Sequence, residues 1–438
     1  MDVDCCIAGG GPAGVMLGML LARAGLEVVV LEKHADFFRD FRGDTIHPST
    51  IRVLGELGLR DAFLALPHTD VRALDVVVNG FRMRPVDFGR LREPYNFLAL
   101  MPQWDFLDFL AEHAAASGGF RLLMSTEATG LTREGGVVVG ATASGADGDL
   151  DIRARLTVAA DGRDSTLRQA SGLKPHGFGV PIDVLWFRLP RPVVEPPDTL
   201  AYLDGRSMVL TIPRGDYYQM GVVIPKGGFD AMKADGLAGF RTALVAAAPF
   251  LAEVVDALTS WDQVKLLTVQ VDRLARWFTP GLVCIGDAAH AMSPAFGVGV
   301  NYAIQDAVAA ANLLAEPLLR GAAVEELEDA CLSLQRRRMP AVVRMQDIQL
   351  AAHRQIAKPG GGAILPDPVP ASTQALLRTA MSLAQRITAR LIGRGLRPER
   401  VSPAIRGATR RGILARTPAR SGEQHQHESG QRQDALNR

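Results

Sequence analysis

The sequence predicts an α/β fold with an inserted β-sheet lobe and C-terminal helices. Three observations predict it. The chain opens on a strand, a glycine loop, a helix and a second strand. Strand-rich segments then fill its middle. A buried strand followed by a long helix returns near residue 281. At 438 residues the chain exceeds one compact core, so more than one domain is expected. The opening unit makes the first domain Rossmann-like.

Residues 3–9 are apolar with little alternation, as in a parallel strand buried on both faces. Pro12 to Ala24 shows helical periodicity, Gly25 stops it, and Leu26 to Leu31 reads as a β-branched strand. Residues 49–58, STIRVLGELG, predict a short helix capped by Ser49 or Thr50 and stopped by Gly58. Short strands are expected over 71–101, an amphipathic helix over Gln103–Ser117, and strands with glycine turns over 120–160. Residues 180–225 are again strand-like, in DVLWFRLP, SMVLTIP and YYQMGVVIP. A helical piece follows near 237–258, then a strand KLLTVQV, a buried strand GLVCIG at 281–286, and a helix from Gly299 to Leu319. Amphipathic helices continue to about residue 395, one starting at Pro340, with a loop from Pro359 to Pro370.

The expected division is therefore as follows. Residues 1–175 form the first part of the nucleotide-binding domain, with the strands at 71–101 contributing to the inserted lobe. Residues 176–272 form that lobe, 273–330 the second part of the nucleotide-binding domain, and 331–415 a helical region. Residues 416–438 are polar and cannot bury enough surface to offset ordering entropy, which predicts a disordered tail.

The formal charge is +1, with 47% apolar and 22% charged residues, so neither nucleic acid nor a membrane is an expected partner. No stretch of 18 uncharged apolar residues occurs, and Met1-Asp2-Val3-Asp4 is no basic leader. The four cysteines make no disulfide framework or metal motif. Reduced thiols and a cytoplasmic location are expected.

Three motifs carry chemistry. The first is Gly9-x-Gly11-Pro12-Ala13-Gly14, with Glu32 and Lys33 ending the second strand. Gly9 permits the tight turn, Gly11 lets backbone approach a pyrophosphate, and Gly14 brings the helix against the strand. The helix N-terminus offers unpaired N–H groups to phosphate, and Glu32 is placed to accept ribose hydroxyls while repelling a 2′-phosphate. The second is Ala159-Ala160-Asp161-Gly162-Arg163, at the carboxyl end of a buried strand, where open α/β sheets bind ligands; Asp-Gly is also a common turn pair. The third is Gly286-Asp287-Ala288-Ala289-His290, followed by Pro294-Ala295-Phe296-Gly297-Val298-Gly299-Val300-Asn301. It supplies a second acid and a second helix N-terminus. A flavin uses both, because its reduced ring carries negative charge that a helix N-terminus stabilises.

In that order the three motifs resemble the FAD-dependent aromatic monooxygenases of the p-hydroxybenzoate hydroxylase type (class A), over about residues 3–320. The resemblance implies a GR2-type FAD-binding domain. It places Gly9, Gly11 and Gly14 at the pyrophosphate and Glu32 at the adenosine ribose. Arg42, in DFRGDTIHPST, matches the family's arginine stretch, and Gln103 a position near the flavin chain. Asp161, Gly162 and Arg163 match the motif near the pyrophosphate and the nicotinamide path. Gly286 and Asp287 match the ribityl or phosphate side, and Pro294 with Gly297, Val298, Gly299, Val300 and Asn301 the loop facing the isoalloxazine.

The implied reaction takes NADPH or NADH and O2, forms a flavin C4a-hydroperoxide, and hydroxylates an aromatic or polyketide-like small molecule. The protein is expected as a monomer or homodimer. For proton transfer at a phenol, His47, Tyr217 and Tyr218 are candidates; adjacent strand residues face opposite ways, so only one tyrosine can face the cavity, and Tyr217 is chosen with His47. Arg214 is a candidate carboxylate clamp, and His290 is expected to hold its loop. Among Trp186, Phe187, Met208, Leu210 and Met220, alternate members should line the pocket. Two rivals stand beside this reading: a flavin reductase or dehydrogenase acting on C=C bonds, and a flavoprotein that sequesters an aromatic ligand. The W-x-W-x-I-P signature of halogenases is absent.

Overall fold

The structure, a computed structural model, describes residues 1–38, 45–194, 201–203, 208–357, 365–366 and 368–407. Arg42 and the tail at 416–438 lie outside the described residues.

The chain opens with β1 (Asp2–Ala8), α1 (Pro12–Ala24) and β2 (Val28–Leu31), then α2 (Pro48–Glu56). A hairpin of β3 (Ala73–Val78) and β4 (Phe81–Asp87) precedes α3 (Gln103–Ala115), β5 (Phe120–Leu123) and β6 (Gly148–Ala159). The middle holds β7 (Ile182–Pro190), β8 (Ala201–Leu203), β9 (Met208–Arg214), β10 (Tyr217–Pro225) and β11 (Lys265–Leu267). Then come β12 (Leu282–Cys284), α4 (Gly299–Leu319), α5 (Val324–Ile356) and α6 (Ala371–Gly393).

Two sheets organise these elements. In the first, β12, β6, β1, β2 and β5 lie side by side and parallel, so β1 is central, as its unbroken apolar run requires. α1, α3 and α4 bury Met16, Leu20, Phe106, Leu110, Ile304 and Val308 against one face. Trp277, Ala341, Val342 and Met345 join the core of the other. In the second sheet the order is β11-β7-β10-β9-β8-β3-β4. The hairpin at 73–87 thus joins strands more than a hundred residues later, through the parallel pair β3–β8.

Local expectations hold in part. The helix from Gly299 to Leu319 forms over that span. α2 is capped two or three residues earlier than expected: Pro48 takes the first helical position and His47, in place of Ser49 or Thr50, the cap, without a side-chain capping bond. Pro340 does not start a helix; α5 runs through it for 33 residues, because flanking contacts with α4 and the first sheet hold the helix on both sides. KLLTVQV is not one strand: β11 ends at Leu267, and a separate strand begins at Val271 and pairs with 175–178. Among the described residues no helix is long and apolar enough to cross a membrane, and no group of three metal-ligating side chains occurs.

Candidate active site

The glycine loop is shaped by close approach. Gly9 has φ +102°, and a Cβ there would lie 2.3 Å from the Ala160 carbonyl oxygen. A Cβ at Gly14 would lie 2.0 Å from the Gly9 carbonyl oxygen. At Gly11 a Cβ would meet nothing within 4 Å, so this residue borders open space. Pro12 opens α1, whose first turn carries no acidic side chain to neutralise its N-terminus. At the end of β2, Glu32 is anchored by backbone: Oε2 accepts from the Gly10 N–H at 2.9 Å, and Oε1 from the His34 N–H at 3.1 Å. Ala13 and Lys33 border the same cavity.

The second and third motifs are tied together. Asp161 accepts from the Leu167 N–H at 3.2 Å, while its Oδ1 is buried with no partner; burial raises its pKa. Arg163 Nε donates to Asp287 Oδ2 at 3.1 Å. Arg168, which the sequence reading missed, is buried and donates to the carbonyls of Ala288 (3.0 Å) and Arg163 (2.5 Å). The Gly286 N–H donates to Asp306 Oδ2 at 3.1 Å. That carboxylate also meets His290 Nε2 at 2.6 Å and Arg338 Nε at 2.8 Å. Burial alone would push Asp306 up, but His290 and Arg338 hold it below the usual carboxylate range. His290 therefore holds its loop, through Asp306.

Pro294, Gly297, Gly299 and Val300 border the cavity with Gln103, Gly162, Arg163 and Asp287. Val298 and Asn301 instead pack inward. Asn301 Oδ1 accepts from the His47 N–H (3.0 Å) and Thr50 Oγ1 (2.7 Å), and Thr45 Oγ1 donates to the Gly297 carbonyl at 2.8 Å. The loop is thus laced to the segment before α2.

This lacing corrects the proton-transfer candidates. His47 is fully buried, does not border the cavity, and its Nδ1 lies 2.8 Å from the Ile392 carbonyl. Burial pushes its pKa down to about 4, against the opposing carbonyls of Ile392 and Gly297, so the ring is neutral. Tyr217 also lies off the cavity, beneath the Arg188 guanidinium, whose centre is 5.0 Å from its ring. Tyr218 touches the edge of the cavity, but it shares the face of Met220 on β10, and its ring packs on Phe250 in the core behind the sheet. Arg214 is buried and does not border it.

An imidazole beside the apolar part of the cavity is that of His353, on α5. Its Nε2 lies 2.8 Å from Ser293 Oγ, which accepts from the Ala295 N–H at 3.0 Å. Gln349, one helical turn earlier, donates to the carbonyls of Ser293 and Ala295 and accepts from the Ser293 N–H. No local pattern in the sequence marks these residues, since their partners lie 54 to 60 positions away.

The cavity measures about 1600 Å³. Ile182, Val184, Trp186, Met208, Leu210 and Val223 form one apolar wall. Phe187 and Met220 point to the other side of the sheet and are fully buried, as strand alternation requires. α5 supplies Ile348, Ala352 and Ile356, and α6 supplies Thr388, Leu391 and Ile392. The volume exceeds the ~300–1,000 Å³ of an ordinary ligand pocket, leaving room for a dinucleotide and a second molecule. FAD fits the polar end: open space at Gly11, an orphaned acceptor at Asp161 and two helix N-termini all line one path.

Comparison with known proteins agrees. Residues 2–346 match the model of a family described as "FAD binding domain". The chain is 34% identical over 360 residues to the 6-methylpretetramide 4-monooxygenase of Streptomyces rimosus, covering 82% of this chain and 85% of that protein. It is 29% identical over 321 residues to the rifampicin monooxygenase of Streptomyces venezuelae, covering 69% of this chain but only 62% of that protein. A solved structure of PqsL from P. aeruginosa superposes with a TM-score of 0.72 at 24% identity, over 83% of this chain and 99% of that one, which shows the shared fold. The chain belongs to this FAD-binding family and is an FAD-dependent monooxygenase of the class A aromatic hydroxylase type.

Proposed function

We propose that the protein hydroxylates a fused-ring aromatic small molecule of polyketide type, with NADPH or NADH and O2 as co-substrates. The observation that carries this reading is the single cavity in which the polar cofactor path runs into the apolar wall around Trp186 and Leu210. The names of the relatives, which include a 6-methylpretetramide 4-monooxygenase and a rifampicin monooxygenase, support the substrate class.

FAD, when bound, supplies the redox chemistry with O2 and the reduced nicotinamide. The chain's residues supply placement. Gly9, Gly11 and the α1 N-terminus would hold the pyrophosphate, and Glu32 the adenosine ribose. Asp287, oriented by Arg163, would hold the ribityl side. The Pro294–Val300 loop, held by Asn301 and Gln349, would support the flavin ring. Trp186, Leu210 and Ile348 would position an aromatic substrate and exclude water. We assign the proton of the substrate hydroxyl to Ser293 with His353, whose imidazole burial keeps neutral and able to accept. A cytoplasmic location is part of this reading; the four cysteines are free and buried.

The test is NADPH and NADH oxidation by the FAD-loaded protein against a panel of phenols of one to four rings, with mass spectrometry of the products. Gain of one oxygen on a polycyclic phenol is the expected result. Stoichiometric binding without nicotinamide oxidation, or reduction of a C=C bond, would overturn it.

A further inference from the structure

The net charge of +1 conceals a segregation. Residues 1–370 carry 43 acidic and 35 basic side chains, whereas residues 371–420 carry eleven arginines and one acid, Glu399. α6 begins this basic stretch, with Arg378, Arg386 and Arg390 and no acidic residue. One side of α6 is spoken for. Leu377 and Met381 pack with Phe81 and Met83, and Thr388 Oγ1 donates to the Pro85 carbonyl at 2.6 Å. The other side exposes Leu376 (69%), Leu383 (77%) and Ile387 (70%). Spacings of seven and four align these three along one stripe, and 3.6 residues per turn put Arg386 and Arg390 on its flank.

We propose that this face of α6 docks the protein onto an anionic lipid surface. A second copy of the helix would set arginines against arginines with no acid on either side to offset them. A bilayer interface supplies both missing partners: an apolar layer for the leucines and isoleucine, and phosphates for the guanidinium groups. The same helix forms part of the cavity wall through Thr388, Leu391 and Ile392. Docking therefore brings the substrate end of the cavity to the layer into which an apolar polycycle partitions. This last step rests on the proposed substrate class; the docking itself does not.

The test is flotation of the FAD-loaded full-length protein with phosphatidylcholine vesicles, with and without phosphatidylglycerol. Flotation is expected only with phosphatidylglycerol, and it should weaken as salt is raised. The double variant Arg386→Gln/Arg390→Gln should partition about thirty-fold less, at the usual contribution of one cation near an anionic surface. Leu383→Glu/Ile387→Glu should abolish flotation. Bound FAD and melting temperature, measured on each variant, separate lost docking from unfolding. Absence of flotation with phosphatidylglycerol at low salt overturns the proposal. So does flotation undiminished by Leu383→Glu/Ile387→Glu, or conversion of a dimer to a monomer by that variant without vesicle binding, which gives the face to a second copy. Binding of an acidic protein without vesicle binding overturns it equally. Turnover of phenols is assayed without lipid, so a failed substrate class leaves the flotation result standing.

Discussion

Replacing Asp306 by alanine tests the buried link between α4 and the Gly286-Asp287 motif. Asp306 is fully buried, and its two oxygens serve the Gly286 N–H, His290 Nε2 and Arg338 Nε. Arg338 is 1% exposed and its remaining partners are distant: the Arg397 carbonyl at 3.4 Å and Glu399 at 3.8 Å. Removing the carboxylate leaves a buried cation with that partial compensation, so the cost falls at the lower end of the range for a broken buried pair, about 3 kcal/mol. For a cooperative unit of 438 residues that corresponds to a fall of roughly 3 °C in Tm. Asp306→Asn keeps the shape and one acceptor, and should fall between the parent and the alanine variant. FAD-loaded protein, followed by calorimetry and by release of flavin fluorescence, gives both numbers. A Tm loss for Asp306→Ala no larger than that of an exposed pair, under about 1 kcal/mol, would refute the argument that Arg338 depends on this carboxylate.

Three further outcomes are expected. Gly9→Ala should cost about 2 kcal/mol or more through its left-handed backbone and the Ala160 clash, whereas Gly11→Ala should leave the apo fold intact and weaken FAD retention roughly tenfold; the flavin-to-protein absorbance ratio and the apo melting curve separate the two. His47, held near pKa 4 against an ordinary 6.5, contributes about 3 kcal/mol that is fully present above pH 6.5 and is lost as pH falls toward 4. In Asn or Gln variants at 47 the acid limb of a stability–pH curve should flatten over that window, and an unchanged slope would refute the assignment. Ala352→Phe, which narrows the wall supplied by α5, should raise KM for four-ring phenols roughly tenfold and for one-ring phenols little.

Much of the cofactor end is legible in the sequence because its logic is local. A strand, a glycine loop and an acid lie within thirty residues, and the close approach of Gly14 to the Gly9 carbonyl, the open space at Gly11 and the Glu32 bond to the Gly10 N–H are all found inside that stretch or at its end. The substrate end is less legible. Tyr217 and Tyr218 fall on opposite faces of β10, and which face turns toward the cavity depends on strand register against β7 and β9, a property of paired strands. His47 stands close to the cofactor loop in space, as expected, but Asn301 and the Ile392 carbonyl turn it into the core. His353, Gln349 and Arg168 leave no pattern at all, since each acts on a segment more than fifty residues away or on backbone carbonyls, which every residue type offers.

The placement of β12 has a consequence for how the chain is made. β6 lies between β1 and β12 in the parallel sheet, and more than a hundred residues separate Ala159 from Leu282. At about 5–20 residues per second, a ribosome needs on the order of 10 s to deliver β12 after β6 has emerged. Over that interval the far edge of β6, Thr157 to Ala159, has no strand to pair with, although its neighbours are already present. An exposed apolar edge of this kind is a template for association between nascent chains. Slow elongation between residues 160 and 281 should therefore lower the soluble yield more than slow elongation elsewhere, and fragments ending before Cys284 should aggregate even though they contain the entire glycine loop.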